Sequence, residues 1–420
     1  MNEQVLNKLK ILAESAKYDV SCSSSGTVRR NKAGMLGNTV GGWGICHSFA
    51  DDGRCISLLK IMLTNYCIYD CAYCVNRRTN DIPRATFSVS ELVELTMEFY
   101  RRNYIEGLFL SSGVVRNADY TMERLVRVAK DLRTVHRFNG YIHLKSIPGA
   151  SWELVNEAGL YADRMSVNIE IPTEENLKRL APEKDHQSVF APMRYIQQGV
   201  LQSAEERKHF RHAPRFVPAG QSTQMIVGAT SETDQDILQL SSALYRRSTM
   251  KRVYYSGYVP VNAYDTRLPA LKQPPLVREN RLYQADWLLR YYYFTVDEIV
   301  DSAHPNLSLD FDPKLGWALR HPECFPVDVN TADYEMLLRV PGIGVKSARL
   351  IVASRRFSRL GAYQLKQMGV VLKRARYFIT CRELPVQTIH ELTPQGVVRL
   401  LVPGKRKSED ERQLCFDFAE

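Results

Sequence analysis

The segment Leu58–Cys74 reads LLKIMLTNYCIYDCAYC and decides how the rest of the chain is interpreted. It opens with the largely apolar run Leu58–Leu63, which predicts a buried strand. It closes with Cys67, Cys71 and Cys74, which are separated by three and two residues and lie in a predicted loop. Cysteines directly after a buried strand indicate a functional loop, because the chemistry of barrel-like α/β folds lies at the carboxyl ends of parallel strands.

The alternation that begins with this strand continues to about Pro260. Short apolar runs alternate with amphipathic stretches such as Val89–Arg102 and Tyr120–His136, a pattern typical of repeated βα units and a parallel sheet. Six such units predict the fold class α/β, with a partial (β/α)6 TIM-like barrel. The predicted strands are Leu58–Leu63, Gly107–Leu110, Tyr141–Lys145, Arg164–Ile169, Thr223–Val227 and Arg252–Tyr255.

The length of 420 residues is too great for one ordinary hydrophobic core. The pattern divides the chain into an N-terminal cap at 1–55, the barrel at 56–265, an aromatic-rich connecting segment at 266–325, an all-α domain at 326–382 and a tail at 383–420. The aromatics of the connecting segment, Trp287 and Tyr291–Tyr293, favour a buried helix over a surface that stacks bases.

The sequence predicts a cytoplasmic protein. It contains no apolar run of membrane-spanning length, and the charged residues of its first turns do not indicate a signal peptide. The nine cysteines are therefore expected to be reduced thiols or metal ligands rather than disulfides.

The net charge of +10 is concentrated near the C-terminus. Between Val327 and Cys381 there are ten basic and three acidic residues, a net charge of +7. This concentration indicates an anionic partner, and the alternative is a solvated helix face without a partner.

Three cysteines in one loop suit a [4Fe-4S] cluster in which one iron stays open for an exogenous ligand. A structural zinc site needs a fourth ligand, which His47 could supply. Unliganded buried thiols are the third alternative.

Together with the aromatic residue Tyr73, the spacing of Cys67, Cys71 and Cys74 matches the CxxxCxφC motif of the radical S-adenosylmethionine (SAM) superfamily, which this region resembles. The resemblance implies a [4Fe-4S] cluster whose open iron binds SAM. It also implies a flavodoxin- or ferredoxin-type electron donor. One electron then cleaves SAM, and the resulting 5′-deoxyadenosyl radical removes hydrogen from a substrate.

The same resemblance implies further SAM-binding positions. The superfamily usually has Gly-Gly-Glu after its second strand, where this chain has Ser111-Ser112-Gly113, so hydroxyls or carbonyls take the place of the carboxylate. Expected contacts to ribose and adenine are Asn168, Glu170, Val227 and Gly228 of the segment Ile226–Glu232, and Tyr255 of the segment Tyr255–Tyr258.

Cys22, Cys46 and Cys55 precede the motif. They are candidates for a second metal or iron–sulfur centre, or for a hydrogen-atom donor, and buried thiols without a role are the alternative.

The basic region contains a two-glycine turn between two predicted helices, the second of which starts near Val345. Such a turn exposes consecutive backbone N–H groups beside a helix N-terminus, which favours phosphate. The segment Leu338–Ile351 resembles the helix-hairpin-helix module of DNA repair and uptake proteins, and Gln367–Lys373 resembles a second, degenerate copy. An αα-hairpin that only packs on the barrel is the alternative. The implied DNA-binding residues are Gly342, Ile343, Gly344, Lys346, Ser347 and Arg349.

The tail contains a short peptide that resembles the bacterial motif for docking into the sliding clamp, with Gln413, Leu414, Phe416 and Phe418 as its anchors. A terminal strand or helix tucked onto the domain is the alternative.

Nearly the whole chain resembles a bacterial group of radical SAM proteins assigned to DNA modification or repair and encoded beside a uracil-DNA-glycosylase-like protein. The resemblance implies a radical enzyme that acts on DNA, with that protein as a partner, and a flipped or single-stranded nucleotide as the reactive group. RNA as substrate, and a non-enzymatic iron–sulfur adaptor or redox sensor, are the alternatives.

Overall fold

The computed structural model describes residues 3–19, 45–49, 55–247 and 249–384, and the single residues 396 and 401. The chain divides into two compact units. The first unit comprises Met1–Glu232 and Ala243–Pro275, and the second comprises Thr233–Ser242 and Leu276–Glu420.

The described part of the first unit contains one curled sheet of seven strands, an open half-barrel in which each strand pairs with the next along the chain. The last six strands are parallel, which confirms the α/β prediction, and their carboxyl ends meet at one edge of the sheet. The strands are β1 (Ile45–Phe49), β2 (Cys55–Met62), β3 (Gly107–Ser111), β4 (Tyr141–Lys145), β5 (Arg164–Ser166), β6 (Gln221–Val227) and β7 (Met250–Gly257).

Amphipathic helices alternate with these strands, and side-chain caps fix where several of them begin. Ser88 and Glu91 form a capping box at the start of α2, and the Asn117 side chain accepts from the Tyr120 N–H at the start of α3. The helices are α1 (Glu3–Ala16), α2 (Val89–Arg101), α3 (Ala118–Thr134), α4 (Trp152–Tyr161), α5 (Glu174–Leu180), α6 (His186–His209) and α7 (Asp234–Arg247). The N-terminal part of α7, up to Ser242, is assigned to the second unit.

One sequence prediction needs correction in this unit. The predicted strand Arg164–Ile169 is regular only over Arg164–Ser166, and Glu170, with a positive φ of 64°, continues the pairing as an isolated bridge to Met225. The N-terminal residues contribute β1, which pairs antiparallel with β2 and therefore does not belong to the parallel repeat.

The second unit is largely helical. Its domain at 326–382 was predicted to be all-α, but β8 (Val327–Asp328) and β9 (Ile379–Thr380) form a short parallel pair there. None of the helices in the described ranges is long and apolar enough to cross a membrane. The elements are α8 (Leu276–Tyr291), α9 (Val296–Ile299), α10 (Pro313–Arg320), β8 (Val327–Asp328), α11 (Tyr334–Arg339), α12 (Val345–Ser354), α13 (Ala362–Gln367), α14 (Leu372–Ala375) and β9 (Ile379–Thr380), with a 3₁₀ turn at Pro322–Cys324.

A buried lysine supports the turn between α11 and α12. Lys314 of α10 is 9% exposed, and its Nζ donates to the Ile343 carbonyl at 2.5 Å and lies 4.8 Å from the centre of the Tyr292 ring. Burial lowers the pKa of Lys314 to about 7. The lysine therefore holds the two-glycine turn from the inside of the unit.

The pKa of Lys314 predicts a pH-dependent stability. Between pH 7 and 10 the unfolded chain binds a proton that the folded chain has released, so raising the pH stabilises the fold. We expect the free energy of unfolding of the parental protein, minus that of Lys314→Met, to rise by about 1 kcal/mol per pH unit between pH 7.5 and 9. Urea unfolding of the full chain at several pH values measures this difference, and parallel pH profiles would contradict it.

Candidate functional site

The cysteine loop is the connection from β2 to α2, residues 63–88, and it lies against the loop that follows β3. Ile68 N–H donates to the Val114 carbonyl at 2.8 Å, and Val114 N–H donates to the Cys67 sulfur at 3.4 Å. Cys71 is buried, and Cys67 and Cys74 are half-buried. An N–H group directed at sulfur stabilises the thiolate form that binds iron.

Gly113 is the point of closest approach between the two loops. A Cβ at this position would lie 2.3 Å from the Tyr66 carbonyl oxygen and 3.3 Å from the Cys67 Cβ. Only glycine therefore lets the loop after β3 reach the first cysteine.

Arg84 holds the cysteine loop together from within. Its guanidinium donates to four carbonyls of the same loop, those of Asn65 at 2.5 Å, Asn76 at 2.9 Å, Arg77 at 2.7 Å and Asn80 at 2.9 Å. A loop without regular secondary structure leaves its carbonyls unpaired, and one arginine satisfies four of them.

A cavity of about 250 Å³ opens at the carboxyl edge of the sheet. The three cysteines line it together with residues that follow β3 to β7. The predicted SAM-binding residues that lie on its wall are Tyr73, Ser112, Gly113, Asn168 and Glu170.

Asn168 and Glu170 form a polar pair on the wall of the cavity. Asn168 Nδ2 donates to Glu170 Oε1 at 3.2 Å and to Gln224 Oε1 at 3.3 Å. Backbone bonds to Gln224 and Ile226 on β6 hold Glu170 in its left-handed conformation. A strained backbone held by its surroundings is typical of functional sites.

A half-buried ion pair also lines the cavity. Lys145, the last residue of β4, lies 2.5 Å from Asp19 and 3.9 Å from Glu170. Burial alone would raise the pKa of Asp19, but the charge of Lys145 outweighs it, and the pKa of Asp19 is lowered. Burial likewise opposes the charge on Lys145, but Asp19 and Glu170 raise its pKa, so both groups are charged.

Lys184 faces the cysteines. It lines the cavity, its Nζ lies about 6 Å from the rings of Tyr69 and Tyr73, and no hydrogen bond to a carboxylate pairs it within the described residues. Burial lowers the pKa of Lys184, but Cys71, Tyr73 and Glu170 outweigh this and raise it well above its usual value. The result is a half-buried cation without an acidic partner in direct contact, beside the three thiols.

These residues fit an anionic iron–sulfur cluster and SAM. Burial raises the pKa of the Cys74 thiol to about 12, so metal binding must displace its proton. No three His, Cys, Asp or Glu side chains of the described ranges converge on a point that one ion could occupy.

Two buried hydroxyls on the cavity wall support the fit. The hydroxyls of Tyr73 and Tyr258 have no hydrogen-bond partner among the described residues. Buried polar groups are normally satisfied, so such hydroxyls indicate a ligand with polar atoms. Cys67, Cys71 and Cys74 would hold the cluster, and the SAM-binding groups would come from Ser112, Gly113, Asn168, Glu170 and Lys184.

Several predicted residues lie elsewhere than expected. The cavity wall contains Ile226 and Ser256, whereas their neighbours Val227 and Tyr255 are fully buried outside it, as the alternation of side chains along a strand requires. Ile226 and Ser256, rather than Val227 and Tyr255, are therefore the strand residues that face the cavity. Ser111 is buried at the end of β3, outside the lining.

Gly228 and Glu232 close the loop after β6. Gly228 has a φ of 83°, and a Cβ there would lie 3.0 Å from Pro275. Glu232 accepts from Thr173 at 2.6 Å and from Asn176 at 2.8 Å, which indicates a structural role.

Part of the N-terminal and C-terminal predictions lies outside the described residues. This holds for Cys22, for the side chain of Cys55 and for the clamp-motif residues Gln413, Leu414, Phe416 and Phe418. Cys46 is half-buried on β1 opposite Leu58, and it is not on the cavity wall.

In the second unit, two helix–turn–helix hairpins pack on each other. Gly342, with a φ of 93°, accepts at its carbonyl from Val371 N–H at 2.9 Å, and a Cβ on Gly342 would lie 2.7 Å from the Val371 carbonyl. Gly369, with a φ of 81°, lies against the side chain of Ser347. Each turn thus packs against the other hairpin.

This packing divides the six predicted DNA-binding residues. The side chains of Ile343 and Ser347 are buried, so only their backbone groups are available to a partner. Gly342 and Gly344 are half-buried in the turn, and Lys346 and Arg349 are exposed on α12.

Most of the basic residues of this region are on the surface. Arg339 and Arg374 pair with Glu298 and Asp312, and Arg355 donates to two carbonyls. The other seven are exposed and have no ion-pair partner within the described ranges. They are Lys346, Arg349, Arg356, Arg359, Lys366, Lys373 and Arg376.

The aromatic-rich helix α8 is less buried than its sequence predicted. Trp287 is 42% exposed and Tyr291 is 40% exposed, and their ring centres lie 4.3 Å apart. Tyr293, just after the helix, is also exposed.

Residues 61–243 match the family model of the radical SAM superfamily. Among solved structures, the chain is similar to HydG, a maturase of the [FeFe]-hydrogenase, with 13% identity over 54% of this chain and 48% of that chain and a TM-score of 0.41. It is also similar to methylornithine synthase (PylB), with 12% identity over 66% and 67% and a TM-score of 0.41. A radical SAM methyltransferase from Sphaerobacter thermophilus has 13% identity over 57% and 68% and a TM-score of 0.36. No curated protein matches the chain.

The chain spans about half the length of HydG, and the identification rests on the family model. The matched segment, residues 61–243, is less than half of the chain, and a radical SAM domain in this segment implies a [4Fe-4S] cluster and SAM.

Lys184 provides a test of the site. Lys184→Gln removes the half-buried cation. A hydrogen bond from this lysine to a charged group of SAM would contribute about 1.5–3 kcal/mol, so we expect SAM to bind about tenfold more weakly or worse. The measurement is the SAM titration of the electron paramagnetic resonance (EPR) signal of the reduced cluster. Lys178→Gln, which removes an exposed lysine paired with Glu174, is the matched control. An unchanged titration for Lys184→Gln would contradict the role.

Proposed function

We propose that this radical SAM enzyme acts on DNA, which its second unit holds by the phosphate backbone. The observation that carries the proposal is the group of seven exposed basic side chains without acidic partners, on and around two packed hairpins. A surface of one charge sign without internal partners favours a polyanion over a small neutral substrate.

The hairpins support DNA over other polyanions. Gly342 and Gly369 have the positive φ values that a tight turn beside a helix N-terminus needs, and α12 begins directly after Gly344. Lys346 and Arg349 lie in the first turns of α12 and are exposed. We interpret the pair as a tandem helix-hairpin-helix module, which binds backbone phosphates with little dependence on sequence.

Residues of the first unit have distinct roles in the proposed reaction. Cys67, Cys71 and Cys74 bind iron, and Lys184 balances the negative charge beside them. Asn168 and Glu170 orient polar groups of the cosubstrate.

When bound, the cluster and SAM supply a one-electron cleavage whose product removes a hydrogen atom from the substrate, with the electron coming from a flavodoxin- or ferredoxin-type donor. The cavity of about 250 Å³ is too small for a duplex, so the reacting nucleotide is flipped or single-stranded. Residues of the cavity wall then exclude water from the reacting atoms.

Two partners follow from the same proposal. A uracil-DNA-glycosylase-like protein would act on the same DNA, and the tail residues Gln413, Leu414, Phe416 and Phe418 would recruit the enzyme to the sliding clamp. Whether the reaction repairs a lesion or installs a group depends on the substrate nucleotide.

The test of DNA binding is a salt series. The affinity for duplex DNA should fall steeply with salt, and Lys346→Glu should weaken it about tenfold and reduce the slope of log K against log salt by about one. Fluorescence anisotropy with labelled duplexes measures both quantities.

The control is Lys208→Glu, a reversal of an exposed lysine on α6 that pairs with Glu205. It should leave affinity and slope unchanged. An unchanged slope for Lys346→Glu would contradict the proposal, and tighter binding of duplex RNA than of duplex DNA would favour the RNA alternative instead.

A further inference from the structure

The chain that follows the last strand of the sheet returns to the cysteine loop. Asn262, which is 1% exposed, donates from Nδ2 to the Ala72 carbonyl at 2.6 Å and to the Cys74 carbonyl at 3.0 Å. These carbonyls flank Tyr73 inside the cysteine motif and lie 190 and 188 residues away in sequence. A single buried amide therefore fixes the backbone on both sides of the motif's aromatic residue.

The Asn262 amide has its full set of partners. Its Oδ1 accepts from Asn80 Nδ2 at 2.8 Å, and the same Asn80 Nδ2 donates to the Val75 carbonyl at 2.8 Å. The hydroxyl of Tyr264 donates to Asn80 Oδ1 at 2.6 Å. Both N–H groups of Asn262 and its oxygen are occupied, so its orientation is determined.

A second connection is ionic. Arg77 makes two hydrogen bonds to Asp70, at 2.9 and 2.6 Å, and one to Asp265 at 2.8 Å. Arg267 adds two bonds to Asp265, at 2.9 and 2.6 Å. The side chains of Arg77 and Asp265 are 6% and 9% exposed. Asp70 lies between the first two cysteines, so this network reaches the other half of the motif.

The Asn262 hydrogen bonds and the Arg77–Asp265 ion pair both reach the cysteine loop, and a contribution to stability alone does not explain this shared location. Buried ion pairs contribute little net stability, because desolvation offsets the attraction between the charges. Here both partners from beyond β7, Asn262 and Asp265, contact residues 70–77, which contain two of the three cysteines. Their common effect is to fix the positions of the thiols.

We propose that Asn262 and Asp265 are positioning residues for the iron–sulfur cluster. Asn262 fixes the position of the backbone around Cys74. Asp265 fixes the position of Arg77, which in turn holds the Asp70 side chain. The proposal depends on the cluster that the radical SAM domain implies and is independent of whether the substrate is DNA. The segment Val259–Arg267 is thus part of the metal centre, although it contains no metal ligand.

The test compares Asn262→Asp with Asn262→Ala. Asn262→Asp preserves the volume but replaces the two N–H donors with oxygen, which then faces two carbonyls. We expect both variants to retain less than half of the parental iron and sulfide after anaerobic reconstitution and desalting. In the iron that remains, the EPR signal of the reduced cluster should broaden in the absence of SAM.

Arg133→Lys is the matched control. Arg133 donates to the Tyr161, Phe138 and Gly140 carbonyls and pairs with Asp163 at the opposite edge of the sheet. This variant loses comparable loop contacts far from the cysteines, so it should keep parental iron and EPR signal. If it loses iron as Asn262→Asp does, the effect is one of general stability and the proposal fails.

Asp265→Asn extends the test should the Asn262 variants fail to fold. It preserves shape and removes the charge that faces Arg77 and Arg267, and we expect loss of iron while affinity for duplex DNA stays at the parental value. Parental iron content and an unchanged EPR signal in Asp265→Asn, or in a folded Asn262→Asp, would overturn the proposal. A failure of DNA binding in the parental protein would leave this result unaffected and would count only against the proposed substrate.

Discussion

Hydrogen bonds from side chains to the backbone carbonyls of the cysteine loop are the interaction on which the first unit depends. The loop has little regular structure, so its carbonyls need donors from elsewhere. Arg84 supplies four bonds from within the loop, and Asn262 supplies two from beyond the last strand. A radical SAM site requires three thiols at fixed separations, and this set of donors provides a rigid loop where a strand or helix is absent.

Electrostatics imposes a second constraint on the same cavity. Charges that are partly removed from water are costly unless they are paired, and the half-buried Asp19 and Lys145 form such a pair. The half-buried Lys184 has no carboxylate in direct contact within the described part of the chain, so it would stabilise an anion in the cavity. The site is thus arranged for a negatively charged occupant, as expected for a thiolate-bound cluster and a carboxylate-bearing cosubstrate.

The sequence predicted those features of the first unit that depend on residues close together in the chain. The apolar run before Cys67 identified β2, and the spacing of the cysteines predicted a metal centre beside it, because strand and loop are adjacent in the chain. Asn262 and Asp265 carried no such signal, since their partners lie more than 180 residues away. Lys145 was recognised only as the end of a strand, because its role depends on Asp19, which another element brings to it.

In the second unit, too, local features were predictable from sequence and features that depend on packing between distant segments were not. Its two-glycine turn was evident from sequence, and both turn glycines have positive φ values. The burial of Ile343 and Ser347 was not evident, because it results from the packing of one hairpin on the other.

The central claim is that a radical generated at the cysteine loop removes hydrogen from DNA. The most direct measurement is anaerobic turnover of the reconstituted enzyme with SAM, a reductant and DNA that carries deuterium in its nucleotides, followed by mass spectrometry of 5′-deoxyadenosine. The account predicts 5′-deoxyadenosine that has gained deuterium from the DNA. Unlabelled 5′-deoxyadenosine from deuterated DNA, together with labelled product from deuterated RNA, would contradict it.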